Sequence, residues 1–215
     1  PPMRTRDGSP LRGGPQTMPG PDGTYLAYGR NWANVSNTPF REYKHWVHEG
    51  GVATPLIVHW PRGIEASGEL RRQAGQLPDI MATCIEVSGA DYPKRFSEYS
   101  VTPLAGVSLL PALAGRPLER EALYWEHEGN CAIRIGDWKL VRKSSDWSES
   151  GWLWELYHLA VDRSELDNLA EIHPERVAEM ARKWEHWARN AKVVPSPRRE
   201  LAGVSLHEVS RSAAP

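Results

Sequence analysis

The sequence predicts an α/β chain that closes on a small antiparallel sheet packed by a C-terminal helix, and three observations carry that prediction. A short apolar run, Leu56-Ile57-Val58-His59-Trp60, is β-branched and bounded by Pro55 and Pro61, the pattern of a buried core strand. Between Ala122 and Leu159, short segments of alternating character are separated by turns such as Gly136-Asp137, as in an antiparallel meander. From Pro174 to about Ala191, Val177, Met180, Ala181, Trp184, Trp187 and Ala188 recur at helical spacing on one face.

Taken in order, residues 1–33 form a loop-rich segment, because PPMRTRDGSPLRGGPQTMPGPDG carries turn signals throughout and no helical period. Residues 34–118 read as part of a larger α/β body. Its opening, NVSNTPFREYKHWVHEGGVATPLIVHWP, brings three signals together. Thr38 is placed to cap a short helix with Pro39 at its first position, where a missing N–H costs nothing. Arg41, Lys44 and His48 then follow at steps of three and four, on one helical face. Gly50 and Gly51 relax the backbone ahead of the core strand. Three cations before a Gly-Gly turn suit a tetrahedral oxyanion; a solvated basic face beside an ordinary turn has the same spacing. Leu77 to Val87 is a helix stopped by Gly89, and Val107 to Ala114 a shorter one.

Residues 119–192 read as a small α+β subdomain. Its strands are expected at Ala122–Trp125, Ala132–Ile135, Trp138–Arg142 and Trp154–Leu159. Alternation puts Trp138, Leu140 and Arg142 on one face and Lys139 and Val141 on the other. The helix starting at His173-Pro174-Glu175 is expected to cover one face, with Trp184 buried against the sheet. Residues 193–215 read as a flexible tail.

Composition excludes several classes. A formal net charge of −1 provides no global field for nucleic acid. No apolar run approaches the ~20 residues of a membrane span. Two cysteines do not make a disulfide framework. Cys84 falls in an apolar helical pattern and is expected to be buried; Cys131, after Gly129-Asn130, is expected to be the more accessible. Of the ten tryptophans, Trp138, Trp184 and Trp187 fit core packing, whereas Trp147, Trp152 and Trp154 lie in or beside a Ser/Asp/Glu-rich stretch and are expected to be exposed. The text begins at Pro1 without an initiator methionine, so a fragment is expected.

Trp46-Val47-His48-Glu49-Gly50-Gly51 is echoed by Trp125-Glu126-His127-Glu128-Gly129-Asn130. Coincidence and a shared polar site both remain open. If both glycine turns rim one cleft, His127 comes near Lys44. No His-Glu-x-x-His or sequential ligand cluster is present, so no metal ligands are assigned.

The stretch WANVSNTPFREYKHWVHEGG, followed by TPLIVHWP, resembles the sulfatase family of the alkaline-phosphatase-like superfamily, and its arylsulfatase-type bacterial members most. LAGVSLLPALAGRPL and YWEHEGN resemble it too, so that the likeness runs from about Asp22 to Pro195. It implies the C-terminal part of an alkaline-phosphatase-like fold and hydrolysis of aryl or carbohydrate sulfate esters. It implies calcium and a formylglycine nucleophile for the full-length family, and a missing N-terminal portion as partner. Lys44, five residues before Glu49, matches the family's sulfate-contacting lysine, and His127 is a second candidate for substrate binding. Neither Cys84 nor Cys131 lies in Cys-x-Pro-x-Arg, so no catalytic nucleophile is assigned and the isolated chain is expected to be inactive. Gln76 stands where close relatives often carry histidine. A periplasmic or secreted location fits the resemblance, which fixes no compartment. A phosphatase or phosphodiesterase on the same scaffold, and a non-catalytic interaction module, are the alternatives.

Overall fold

A computed structural model describes residues 4–14, 16–18, 20–25, 29–65, 68–144, 147–148 and 151–193, without the side chains of 147–148 and 151–152. The expected flexible tail, beyond Val193, lies outside the described residues, as does the exposure of Trp147 and Trp152. The elements are α1 (Gly29–Ser36), α2 (Glu49–Val52), α3 (Leu77–Ser88), β1 (Arg95–Phe96), β2 (Tyr99–Ser100), α4 (Leu110–Leu113), β3 (Leu123–His127), β4 (Asn130–Ile135), β5 (Trp138–Arg142), β6 (Trp147–Ser148), β7 (Gly151–Trp152), β8 (Glu155–His158) and α5 (Pro174–Asn190).

The expected meander is a four-stranded antiparallel sheet in the order β3-β4-β5-β8. Its register pairs Ile133 with Leu140 and Leu140 with Leu156, and on the opposite face Ala132 with Val141 and Lys139 with Tyr157. Period-2 alternation therefore builds two different surfaces. Cys131, Ile133, Leu140 and Leu156 face α5 and meet Met180, Trp184 and Ala188. Ala132, Val141, Tyr157 and Leu159 face the other way and meet Val47 of the Lys44 loop. Helix α5 begins with Pro174, whose missing N–H falls in the first turn where it costs no bond, and it carries Arg189 in its last turn. Trp184 is 3% exposed, and its indole N–H donates to the Trp125 carbonyl at 3.0 Å. The Arg142 guanidinium lies 4.9 Å from the Trp154 ring centre and 5.5 Å from that of Trp184, so Trp154 is part-buried against the core rather than an exposed surface contact.

Helix α3 runs where the spacing predicted. Gln76 and Asp79 form a capping box at its start, and Gly89 ends it at φ 66°. Asp79 is fully buried, accepting bonds from the Gln76 and Val107 N–H groups at 2.6 and 2.9 Å and pairing with Arg120 at 2.6 Å. The second expected helix is the single turn α4.

Three further expectations are corrected. Leu56–Trp60 has no strand partner among the described residues, and Leu56, Ile57 and Val58 are 58%, 91% and 43% exposed. An apolar run specifies a strand only where a neighbouring strand takes up its backbone groups. Residues 39–48 form a looped segment, not a helix, because Glu42 and His45 have φ of 67° and 102°. The cysteines are reversed: Cys84 is exposed on α3, whereas Cys131 is 1% exposed because alternation on β4 turns it toward α5.

Candidate functional site

The site is built on the sheet face opposite α5, where residues 40–49 lie. The short helix α2 seats this loop by close backbone approach. A Cβ on Gly50 would stand 2.3 Å from the Arg41 carbonyl oxygen, and one on Gly51 would stand 2.0 Å from that of Trp46. The glycines are needed for contact distance rather than for a left-handed backbone.

The loop's charged residues divide into anchors and an exposed remainder. Lys139 on β5 is fully buried, with Nζ 2.8 Å from carboxylate oxygens of both Glu49 and Glu165. The Glu49 contact is an aligned hydrogen bond; Glu165 Oε1 is paired by charge alone and binds the loop through its other oxygen, which accepts the Glu49 N–H at 2.7 Å. Arg41 donates to the Tyr157 hydroxyl at 3.0 Å and to the Glu165 carbonyl at 2.8 Å. His48 is fully buried, with Nε2 3.1 Å from Glu155. Burial disfavours the charged form of Glu155, but hydrogen bonds from His48 and Tyr157, with the His48 and Arg41 charges, outweigh it and hold its carboxyl down at about 2. Burial, then the hydrogen bond and charge of Glu155, push the Tyr157 phenol up. At the loop's outer edge Lys143 pairs with Glu42 at 2.5 Å.

Of the three cations expected on one face, Arg41 and His48 are thus turned inward to the sheet. Lys44 is exposed and has no ion-pair partner among the described residues. The next residue, His45, packs its ring 5.8 Å from that of His127, at 80°. His127 follows Trp125 by two on β3, so alternation brings it to the loop face. His127 therefore meets the residue that follows Lys44 in the chain. Gln76 is not at this rim: it caps α3, and its amide donates to the Tyr124 carbonyl at 3.1 Å.

Sequence reasoning missed His45, Glu128 and Asn130. His45 Nδ1 lies 2.5 Å from Glu128 Oε2. Asn130 is fully buried and donates from Nδ2 to both the His45 and the His127 carbonyl oxygens, at 3.2 and 2.9 Å. The repeated Trp-x-His-Glu-Gly text pointed to a meeting of the two turns, but the histidine that meets His127 is His45, not His48.

The paired sheet and its covering helix recur in a known structure. Among solved structures the chain superposes on that of Ps i-CgsB with a TM-score of 0.56 and 24% identity, over 70% of this chain and 32% of that one. Among characterised sequences it is 35% identical to the arylsulfatase of Klebsiella aerogenes over 91 residues, which are 42% of this chain and 19% of that protein. It is 33% identical to the pig N-acetylgalactosamine-6-sulfatase over 128 residues, 59% of this chain and 22% of the other. An uncharacterized sulfatase of Schizosaccharomyces pombe aligns over 81% of the chain at 28% identity, covering 32% of its own length. The chain therefore spans a third or less of these relatives. Residues 42–189 match the C-terminal family model of N-sulphoglucosamine sulphohydrolase, and the chain belongs to that family.

Calcium and formylglycine belong to the chemistry that the sulfatase family implies. The residues described here do not fit either. Calcium takes six to eight oxygen ligands. Glu49 and Asp79 are committed to Lys139 and Arg120, and Asp7 is bound to Thr5 and Ser9. Among the described residues the group close enough to share a metal ion is His45, His127 and Glu128, which is rich in nitrogen. No step through calcium or a formyl group is assigned to these residues.

Proposed function

We propose that this chain is the C-terminal portion of an enzyme that hydrolyses aryl or carbohydrate sulfate esters, and that it supplies the Lys44–His127 rim of the substrate cleft. The observation that carries this is the partition of the loop's cations. Arg41 and His48 are held by Glu155, and only Lys44 of the three is left outward, beside the His45–His127 contact. A lysine ammonium on a loop pinned from below makes a strong charge-assisted contact to a sulfate oxygen, and a stronger one as charge develops there. His127, packed against His45, donates beside it from the end of β3. The nucleophile and calcium ligands come from sequence outside these 215 residues.

The parental enzyme carrying Lys44→Ala tests this reading. Loss of one oxyanion donor costs about 10²–10³ in turnover. A fall of that order in kcat/KM for an aryl sulfate is expected, and a near-normal value removes Lys44 from the site.

A further inference from the structure

We propose that His45, His127 and Glu128 form a binding site for a divalent transition metal of the zinc class at the rim of the cleft. Each residue offers one ligand atom, and the three atoms lie within 4.8 Å of one another. Zinc–nitrogen and zinc–carboxylate bonds of about 2.0–2.2 Å in tetrahedral geometry place donors roughly 3.5 Å apart. Small side-chain adjustments therefore suffice, and His45 and Glu128 are 40% and 35% exposed, with room to make them. Two imidazoles and one carboxylate select zinc or copper over calcium or magnesium, which prefer all-oxygen shells.

The backbone around the three residues is built, not incidental. His45 and Glu128 come from turns far apart in the chain, and the buried Asn130 amide ties those turns together through the His45 and His127 carbonyls. Its Oδ1 accepts the Ser144 N–H at 3.0 Å, which fixes the amide's orientation. Glu128 and Gly129, with φ of 53° and 87°, are the two-residue hairpin turn between β3 and β4, which sets Glu128 beside His127. A surface ion pair between His45 and Glu128 would need neither the His127 ring nor the amide beneath it. Three protein donors leave a fourth position for water or an anion, the composition of an open zinc site. A metal there would occupy His127, the residue assigned above to substrate. The site stands independently of that assignment, because coordination can be read without turnover.

Cobalt(II) titration of the full 215-residue chain, followed by its visible d–d absorption, tests the proposal. One equivalent with a tetrahedral spectrum is expected, displaced by zinc and unmoved by excess calcium. His127→Ala and Glu128→Gln should each weaken binding at least tenfold, whereas His186→Ala, on the exposed part of α5, should leave it unchanged. Far-UV circular dichroism checks each fold, and if His127→Ala fails to fold, the exposed Glu128→Gln decides. Absence of a stoichiometric spectrum, or a spectrum that survives Glu128→Gln, overturns the site.

Discussion

Glu155 concentrates the residue-scale logic of the molecule. One β8 carboxylate meets His48, Arg41 and Tyr157, so it is the point at which the sheet holds the cationic loop. Its carboxyl lies at about 2 in the fold against an ordinary value of 4.5. A depressed carboxylate contributes stability above the unfolded value and loses it as pH falls through the folded one. The window is therefore pH 4.5 down to about 2. The full difference is worth about 3 kcal/mol, and solvent screening of a part-exposed carboxylate lowers it to about 1–2 kcal/mol. Urea titrations at pH 7, 4 and 2.5 should show that drop, and in Glu155→Gln this part of the slope should be missing; an unchanged slope would place the titrating group elsewhere. The spacing of Arg41, Lys44 and His48 identified the loop's cations but not their directions. Helical periodicity assumes that side chains follow the backbone's own geometry, whereas here the Glu155 carboxylate on β8, with the Tyr157 hydroxyl and the Glu165 backbone carbonyl, pulls two of them inward.

At the scale of elements, the sheet and its helix were legible because each has a hydrophobic face with a fixed period. Alternation on β5 sends Leu140 and Arg142 toward α5 and Lys139 and Val141 toward the loop, as the residue order alone required. The same rule, carried onto β4, would have found Cys131 buried. Leu56–Trp60 was not legible in the same way, since pairing is a property of two segments and the text describes one. The loop–sheet junction was also hidden, because Lys139 and Glu49 are 90 residues apart. That junction is testable. Lys139→Met keeps the aliphatic stem but strands Glu165 as a buried, unpaired carboxylate and leaves the buried Glu49 only a 4.0 Å contact to Arg163. Breaking a buried pair from one side costs about 3–5 kcal/mol. Chemical denaturation should show a loss of that size, with partial recovery in Lys139→Met/Glu49→Gln; a loss under 1 kcal/mol would mean that the junction is solvated.

At the scale of the whole molecule, burial is lopsided. The sheet, α5 and the loop share two apolar clusters, whereas Leu56, Ile57 and Val58 and the α3 residues Leu77, Ile80 and Met81 are exposed together with Phe96 and Tyr99. Where such exposed apolar side chains adjoin one another they mark an interaction face or an aggregation liability. On the proposed reading it is the seat of the body that carries the nucleophile. The purified 215-residue chain should then hydrolyse no aryl sulfate, with or without calcium, since neither cysteine is followed by the proline and arginine that formylglycine formation requires and no oxygen-rich cluster is present among the described residues. It should also bind a hydrophobic dye and self-associate as concentration rises, and aspartate at Ile57, the most exposed residue of the Leu56–Val58 run, should reduce both. Turnover above a Lys44→Ala control would show a nucleophile within these residues. A monodisperse chain that binds no dye would instead show that this surface needs no covering, and with it would go the argument that the rest of the enzyme sits there.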